Sequence, residues 1–215
     1  MEPPERMAER DAAIEATLQH VPFDGWTKRA LKAGVRSAGM ADYEADLLFP
    51  LGVTDMIATF CDLADRRMEE AAKAIEATRF SERVRSVIAL RLRQNRPYKE
   101  AIRRALSVLA MPSHTRESAA ILARTVDAIL HAGGDRSADF SWYTKRAILG
   151  GVYSATLLFW LRDMSEDDTA TLAFLDRRLA GVGQIGRLRK RIEGLAERLP
   201  RPPLPKPRWP FPGTG

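Results

Sequence analysis

The sequence predicts an all-α fold, and three features of its 215 residues support that prediction. Apolar residues recur every three or four positions through most of the chain, which is the spacing of one helix face. No segment alternates apolar and polar residues as a half-buried strand does. Prolines and glycines fall between the periodic segments, where helices are expected to begin and end. With 45% hydrophobic residues, a chain of this length can bury a substantial core.

The N-terminal part of the chain predicts short helices in a helix-turn-helix arrangement. Thr27 is a typical N-cap for the second of them, and Gly39 is a typical residue for its end. Pro50 ends the third helix. We therefore interpret residues 1–52 as a helix-turn-helix region. The expected helices are residues 9–20, 27–38 and 41–49, and a long helix over residues 53–79 follows them.

The rest of the chain predicts a helical bundle over residues 53–199. Ser81, Pro97 and Ser113 are residue types that favour helix starts at their positions. The helix expected over residues 141–162 is the most apolar. A helix that is apolar on all sides belongs in the centre of a bundle or in an interface.

The C-terminal part predicts one more helix and a tail. Ser165 and Asp168 resemble a capping box at the start of a last helix over residues 166–199. Residues 200–215 hold seven of the 13 prolines, so this tail is expected to be non-helical and disordered.

The sequence carries few residues arranged for chemistry. Three histidines lie far apart, and one cysteine cannot build a zinc site. Cys61 lies on the apolar stripe of the long helix, which indicates a core residue rather than a nucleophile. Gly181, Gly183 and Gly186 match a dinucleotide-binding pattern, but helical periodicity on both sides of them opposes that interpretation. We expect no catalytic residue, no metal and no cofactor.

The charge pattern opposes nucleic-acid binding. The chain has 34 basic and 28 acidic residues, a net charge of +6. A recognition helix presents basic or amide side chains to the bases of DNA, whereas the expected third helix has Asp42, Glu44 and Asp46 and no basic residue. We expect no nucleic-acid partner. A transcriptional regulator is kept as the alternative.

Aromatic and charged residues cluster near the start of the apolar helix. Trp142 and Arg146 are one helical turn apart, and Tyr143 precedes Arg146 by three residues. Asp139 is placed to cap the same helix. These side chains either close one end of the core or form an interaction surface, because Trp, Tyr and Arg are enriched at binding hot spots.

Three segments resemble a known family. They are HVPFDGWTKRA at residues 20–30, RRALS at 103–107 ahead of Pro112, and VDAILHAGGDRSADFSWYTKRA at 126–147. Together they are similar to the Coq-nine family of ubiquinone (coenzyme Q) biosynthesis accessory proteins. The similarity extends over residues 10–191, most of the chain.

The resemblance implies a TetR-like fold: a degenerate N-terminal helix-turn-helix followed by a ligand-binding bundle that dimerises through its last helices. It implies loss of DNA binding, which agrees with the acidic third helix. It also implies that the bundle binds a lipid, an isoprenoid quinone intermediate, and presents it at the membrane to the di-iron demethoxyubiquinone hydroxylase. The family's partner-binding patch corresponds here to Asp139, Trp142, Tyr143 and Arg146.

Within the bundle, apolar helix faces are expected to enclose the lipid, although the same residues would equally form a solid core. A scaffold without a ligand therefore stays open as a further alternative. The expected lipid-binding residues are Ile88, Leu92, Leu106, Leu109, Val126, Leu130, Val152 and Thr156.

The expected location is cytoplasmic, with peripheral association at the inner membrane. Residues 1–20 carry acids and lack the apolar core of a signal peptide. The longest uncharged apolar stretch, residues 147–161, is shorter than the roughly 20 residues that span a bilayer. In place of the family's separate C-terminal amphipathic helix, the last helix ends in basic residues that favour contact with anionic lipid.

Overall fold

In a computed structural model of the chain, residues 6–77, 79–135 and 141–181 are described, apart from the side chains of Ser141 and Trp142. Within these ranges the chain forms helices and no β-strand, which confirms the all-α prediction. The described residues up to Leu179 form one compact unit. The helices are α1 (Met7–Leu18), α2 (Val21–Asp24), α3 (Lys28–Ser37), α4 (Glu44–Leu48), α5 (Val53–Ala72), α6 (Phe80–Gln94), α7 (Lys99–Leu109), α8 (Thr115–Ala132), α9 (Ser141–Trp160) and α10 (169–181).

Helices α1 to α4 occupy the predicted helix-turn-helix region. Thr27 is the N-cap of α3, as predicted, and its hydroxyl accepts a hydrogen bond from the Ala30 N–H at 3.2 Å. α1 and α3 approach closely because Gly34 has no side chain. A Cβ atom at position 34 would lie 2.6 Å from the Cα of Thr17, so only glycine permits this contact.

The third predicted helix is shorter than expected. It was predicted to start at residue 41, but α4 begins at Glu44. The reason is a local hydrogen bond: the carboxylate of Glu44 accepts from the N–H of Ala41 at 2.8 Å and holds the preceding residues in a turn.

Trp26 joins the N-terminal region to the bundle. It is buried, and its indole N–H donates to the carbonyl of Ala101 on α7 at 2.8 Å. Its ring lies 5.8 Å from that of Phe60 on α5, measured between centroids. Arg104 adds a second connection by donating to the carbonyl of Pro22 at 2.8 Å.

The predicted end of the long helix is wrong. α5 ends at Ala72, not at residue 79, although the following residues favour helix. The cause is a tertiary contact from α6: the guanidinium of Arg83 donates to the carbonyls of Ala72 and Ile75, at 3.3 and 2.7 Å. The same group donates to the carbonyl of Ala132 at the end of α8, at 2.8 Å. One side chain thus satisfies the ends of two helices.

The capping box predicted for the last helix is also wrong. Asp168 has a positive φ, and its carboxylate pairs with the ammonium group of Lys99 at 3.1 Å instead of capping the helix. The cap is Asp163, whose carboxylate accepts from the N–H groups of Ser165 and Thr171, both at 2.8 Å. The rest of the predicted last helix, residues 182–199, and the proline-rich tail lie outside the described residues.

Candidate ligand-binding cavity

Five helices, α5 to α9, enclose a cavity of about 350 Å³, a volume typical of small-molecule sites. Its wall is mostly apolar, so it offers an alkyl or isoprenoid chain a surface from which water is displaced. The apolar wall residues are Ile57, Phe60, Leu92, Ile102, Ala105, Leu106, Leu109, Ala110, Ile121, Leu122, Leu157, Leu158 and Trp160.

The cavity has an exposed side and a buried side. Leu158 on α9 is 58% exposed, and Ala110 at the end of α7 is also exposed. Arg91 on α6 and Trp160 on α9 are buried at 3% and 0% exposure. A ligand therefore has a route in between the end of α7 and α9, and it meets the α6 wall inside.

Four polar side chains form a buried polar cluster at the α6 wall: Asp65, Arg91, Thr125 and Tyr153. The guanidinium of Arg91 lies 2.6 Å from a carboxylate oxygen of Asp65 and donates to the hydroxyl oxygen of Tyr153 at 2.9 Å. The hydroxyl of Thr125 donates to the other oxygen of Asp65 at 2.9 Å. All but Asp65 line the cavity.

Burial has the largest influence on the pKa values of the side chains in and beside this cluster. It raises the pKa of Asp65 to about 6, while the Arg91 guanidinium and the Thr125 hydroxyl keep that pKa below the value that burial alone would give. Burial also raises the pKa of the Cys61 thiol to about 11 and raises the pKa of Tyr153. Cys61 is therefore a protonated wall residue at neutral pH, not an activated nucleophile.

Three of the eight predicted lipid-binding residues line the cavity: Leu92, Leu106 and Leu109. The other five do not line it, but they are buried in the helices that surround it. They are Ile88, Val126, Leu130, Val152 and Thr156. The lipid-binding role of all eight stays a prediction.

Sequence reasoning missed the polar wall residues and Ala105. Arg91 and Tyr153 lie 62 positions apart, so no local spacing reveals their hydrogen bond. The available signals were a basic residue beside the apolar face of α6 and a tyrosine inside the most apolar helix.

The predicted partner-binding patch is described in part. Asp139 lies outside the described residues. The backbone of Trp142 is in the first turn of α9, but its side chain is not described. Tyr143 is 73% exposed. The guanidinium of Arg146 forms an ion pair with Asp127 of α8 and is half-buried. Tyr143 and Arg146 thus lie near the same end of α9, one of them exposed and the other held by α8.

Basic residues of α3 are paired with acidic residues of the helix-turn-helix region itself. Arg36 donates to Asp42 at 2.8 Å, and Lys28 lies 2.6 Å from Asp46. Both carboxylates belong to residues 41–49, the segment predicted as the third helix. They neutralise two basic side chains of the kind that contacts phosphate.

Within residues 6–77, 79–135 and 141–181, no group of three or more His, Cys, Asp or Glu side chains is placed to bind a metal ion. None of the helices in these ranges is long and apolar enough to cross a bilayer.

Comparison with known sequences identifies a family. Residues 115–186 match the COQ9 family model. The chain is 35% identical over 181 residues to "Ubiquinone biosynthesis protein coq9, mitochondrial" of Schizosaccharomyces pombe, and the match covers 83% of this chain and 72% of that protein. The COQ9 proteins of rat and human are 33% and 32% identical over 195 residues. The match spans 86% of this chain but only 62% and 61% of the length of these two mammalian proteins.

Comparison with solved structures supports the predicted architecture. The TetR transcriptional regulator from Nitrosomonas europaea matches 82% of this chain and 99% of its own, with a TM-score of 0.63 and 22% sequence identity. This likeness confirms the TetR-like all-α fold. It concerns the fold alone, because different functions share folds of this kind.

Proposed function

The chain belongs to the COQ9 family of ubiquinone biosynthesis proteins, and on that basis we propose that it binds an isoprenoid quinone intermediate and presents it to the di-iron hydroxylase of the pathway. In this proposal the chain performs no catalysis. The exchange takes place at a membrane surface, with the protein peripherally attached to the inner membrane as a homodimer.

The apolar cavity is the observation that carries this proposal. Its volume is about 350 Å³, and 13 of the wall residues named above are apolar. Each buried CH₂ group contributes ~0.8 kcal/mol, so a prenyl chain gains affinity from length alone. The exposed position of Leu158 gives such a chain a way in.

The proposed hydroxylase surface lies on the same helix as part of the cavity wall. Tyr143 precedes Tyr153 by ten residues on α9, which corresponds to about 15 Å along the helix axis. A partner that docks on Tyr143 and Arg146 would therefore be close to the bound lipid. Tyrosine at 73% exposure is also a residue type from which binding hot spots are built.

One further feature supports the dimer. Ile148 of α9 is an exposed apolar side chain, and a Cβ on Gly151 would meet nothing within 4 Å, so this part of the helix offers a face to a second copy. The expected membrane-binding residues lie outside the described part of the chain. They are Arg187, Arg189, Lys190, Arg191 and Arg198, with Trp209 and Phe211 in the tail.

Cavity binding can be tested by blocking the cavity. The probe is a dimethoxy-methyl-benzoquinone with a decyl tail, titrated while the fluorescence of the wall residue Trp160 and the other tryptophans is recorded. Ala105→Trp places a large side chain in the cavity and should abolish saturable quenching. Ala123→Trp places the same side chain on the exposed face of α8 and should leave it unchanged. Equal binding by both variants would contradict the proposal.

Partner binding can be tested with purified hydroxylase. Tyr143→Ala should weaken its binding by about fivefold or more, since a hot-spot side chain contributes more than 1 kcal/mol. Tyr43→Ala is the matched control, because Tyr43 is 69% exposed in the helix-turn-helix region. A retained quinone affinity together with undiminished hydroxylase binding by Tyr143→Ala would show that the docking surface lies elsewhere.

A further inference from the structure

Among the described residues, Tyr153 and Asn95 of the cavity wall have unused hydrogen-bonding capacity, as does the buried indole N–H of the wall residue Trp160. Tyr153 accepts a hydrogen bond from Arg91, but its own hydroxyl hydrogen has no acceptor within the described ranges. Asn95 is only 8% exposed, and its side-chain amide has no hydrogen-bond partner in the same part of the chain. Both residues line the cavity. Each of them therefore has a hydrogen-bond donor available to a ligand in the cavity, and a few polar groups in an apolar wall are what orient a bound ligand.

The Asn95 amide and the Tyr153 hydroxyl lie at the same wall of the cavity. Asn95 follows Arg91 by four residues at the end of α6, so both occupy the same helix face, and Arg91 holds the hydroxyl of Tyr153 at that face. Leu106, Leu109 and Leu158 line the cavity with apolar side chains, and the hydroxyl of Ser118 beside them is already bonded to the carbonyl of Leu109 at 2.6 Å. The cavity is therefore amphipathic: it has a polar inner wall and an apolar route to the surface.

Arg91 makes Tyr153 a better donor. Its guanidinium donates to the phenol oxygen at 2.9 Å and draws electron density from it, while Asp65 balances the guanidinium charge at 2.6 Å. The hydroxyl hydrogen is thereby strengthened as a donor without a net charge in the wall. Such a site suits a neutral acceptor, as a quinone carbonyl or a ring methoxy group is.

We infer that Tyr153 and Asn95 bind the oxygens of the ligand's ring, so that the ring lies against α6 and the tail runs toward Leu158. This inference rests on the proposed cavity-binding function and adds the two wall residues that select a ring with hydrogen-bond-accepting oxygens over a plain hydrocarbon. Tyr153 and Asn95 contact the ligand, whereas Arg91 and Asp65 position Tyr153.

The test compares two probes that differ in ring oxygens. They are a dimethoxy-methyl-benzoquinone with a hexyl tail and hexylbenzene, each measured by equilibrium dialysis against the purified full chain. The measured quantity is the selectivity, the dissociation constant of hexylbenzene divided by that of the quinone. A general loss of stability alters both constants, so the selectivity isolates the polar contact.

Tyr153→Phe and Asn95→Leu should each lower the selectivity by about three- to tenfold, the range expected for one neutral hydrogen bond. Tyr98→Phe is the control, because Tyr98 packs against Phe60 without lining this cavity, and it should leave the selectivity unchanged. If Tyr153→Phe fails to fold because Arg91 loses its acceptor, Asn95→Leu carries the test.

The outcomes separate this inference from the proposed function. Binding of both probes with the wild-type selectivity in Tyr153→Phe and Asn95→Leu would overturn the ring contacts and leave the cavity function standing. Failure of both probes to bind the wild-type chain would overturn the cavity function and the ring contacts together.

Discussion

The outer surface of α3 and the wall of the cavity carry ion pairs of different kinds. On α3, Arg36–Asp42 and Lys28–Asp46 lie on the surface, with every one of the four side chains about half exposed or more. In the bundle, Arg91–Asp65 is buried beside the cavity. Exposed ion pairs contribute little to the free energy of unfolding. Breaking a buried pair is costly, because it leaves a buried charge without its partner. The surface pairs neutralise basic side chains of α3, and the buried pair holds part of the cavity wall.

The N-terminal helices are held by buried contacts rather than by the exposed pairs of α3. These contacts are the close packing at Gly34, the bond from Trp26 to Ala101 and the buried guanidinium of Arg10, which pairs with Asp55 of α5 at 2.7 Å. Through Trp26 this region contacts α5 and α7, which form part of the cavity wall.

The largest expected effect comes from breaking the buried pair. Arg91→Met keeps much of the side-chain volume but leaves the Asp65 carboxylate without its partner, and we expect a loss of about 3–5 kcal/mol in the free energy of unfolding. Urea denaturation measures it. Arg36→Ala breaks an exposed pair and should cost less than about 1 kcal/mol. Equal losses in the free energy of unfolding for Arg91→Met and Arg36→Ala would show that burial does not distinguish the two ion pairs.

The second effect is a pH dependence of the free energy of unfolding, which comes from the buried Asp65 beside the cavity. The pKa of Asp65 is about 6 in the folded chain and 3.8 ordinarily, so the folded state holds the proton more tightly between those values. The free energy of unfolding should therefore fall as pH rises from about 4 to about 6, on the order of 3 kcal/mol, and then level off. Asp65→Asn should remove this component. Parallel pH profiles for the variant and the wild type would contradict the assignment.

The third effect tests packing in the N-terminal region. Gly34→Ala places a Cβ 2.6 Å from the Cα of Thr17, so α1 and α3 must separate. We expect a loss of about 1–3 kcal/mol, seen as a lower urea midpoint. Gly151→Ala introduces a methyl group where nothing lies within 4 Å, and it should be neutral or stabilising by up to about 1 kcal/mol. A neutral Gly34→Ala would show that the two helices are not in close contact.

The smallest expected effect concerns the exposed ion pairs of α3. The double variant Asp42→Asn, Asp46→Asn frees Arg36 and Lys28 and should change stability by less than about 1 kcal/mol. It should also gain weak DNA binding that is independent of sequence and declines with salt. Fluorescence anisotropy of a labelled duplex measures this. Saturable, sequence-dependent binding by the unmodified chain would instead favour the regulator alternative.

Much of the fold could be predicted from the sequence because helix periodicity and end signals are local. The Thr27 cap, the apolar helix near residue 141 and the acidic third helix all follow from residues within a few positions of each other. The end of α5 could not be predicted, because Arg83 reaches it from the next helix. The Asp168 cap failed for the same reason: Lys99, 69 positions away, pairs with that carboxylate.

The site was harder to predict than the fold. Apolar spacing identifies Leu92, Leu106 and Leu109 as inward-facing, but it cannot separate a cavity wall from a filled core. Ile88 and Val126 satisfy the same periodicity and yet are core residues that do not line the cavity. The polar wall depends on contacts among α5, α6, α8 and α9, so only the assembled bundle reveals it.

The most direct measurement of the lipid-binding proposal is solvent extraction of the purified chain, followed by mass spectrometry of the extract. The proposal predicts an isoprenoid quinone or its precursor in the wild-type extract, at about one molecule per chain, and its loss in Ala105→Trp but not in Ala123→Trp. An extract without any lipid, or with the same lipid content in Ala105→Trp as in the wild type, would contradict a ligand in this cavity and favour the scaffold alternative.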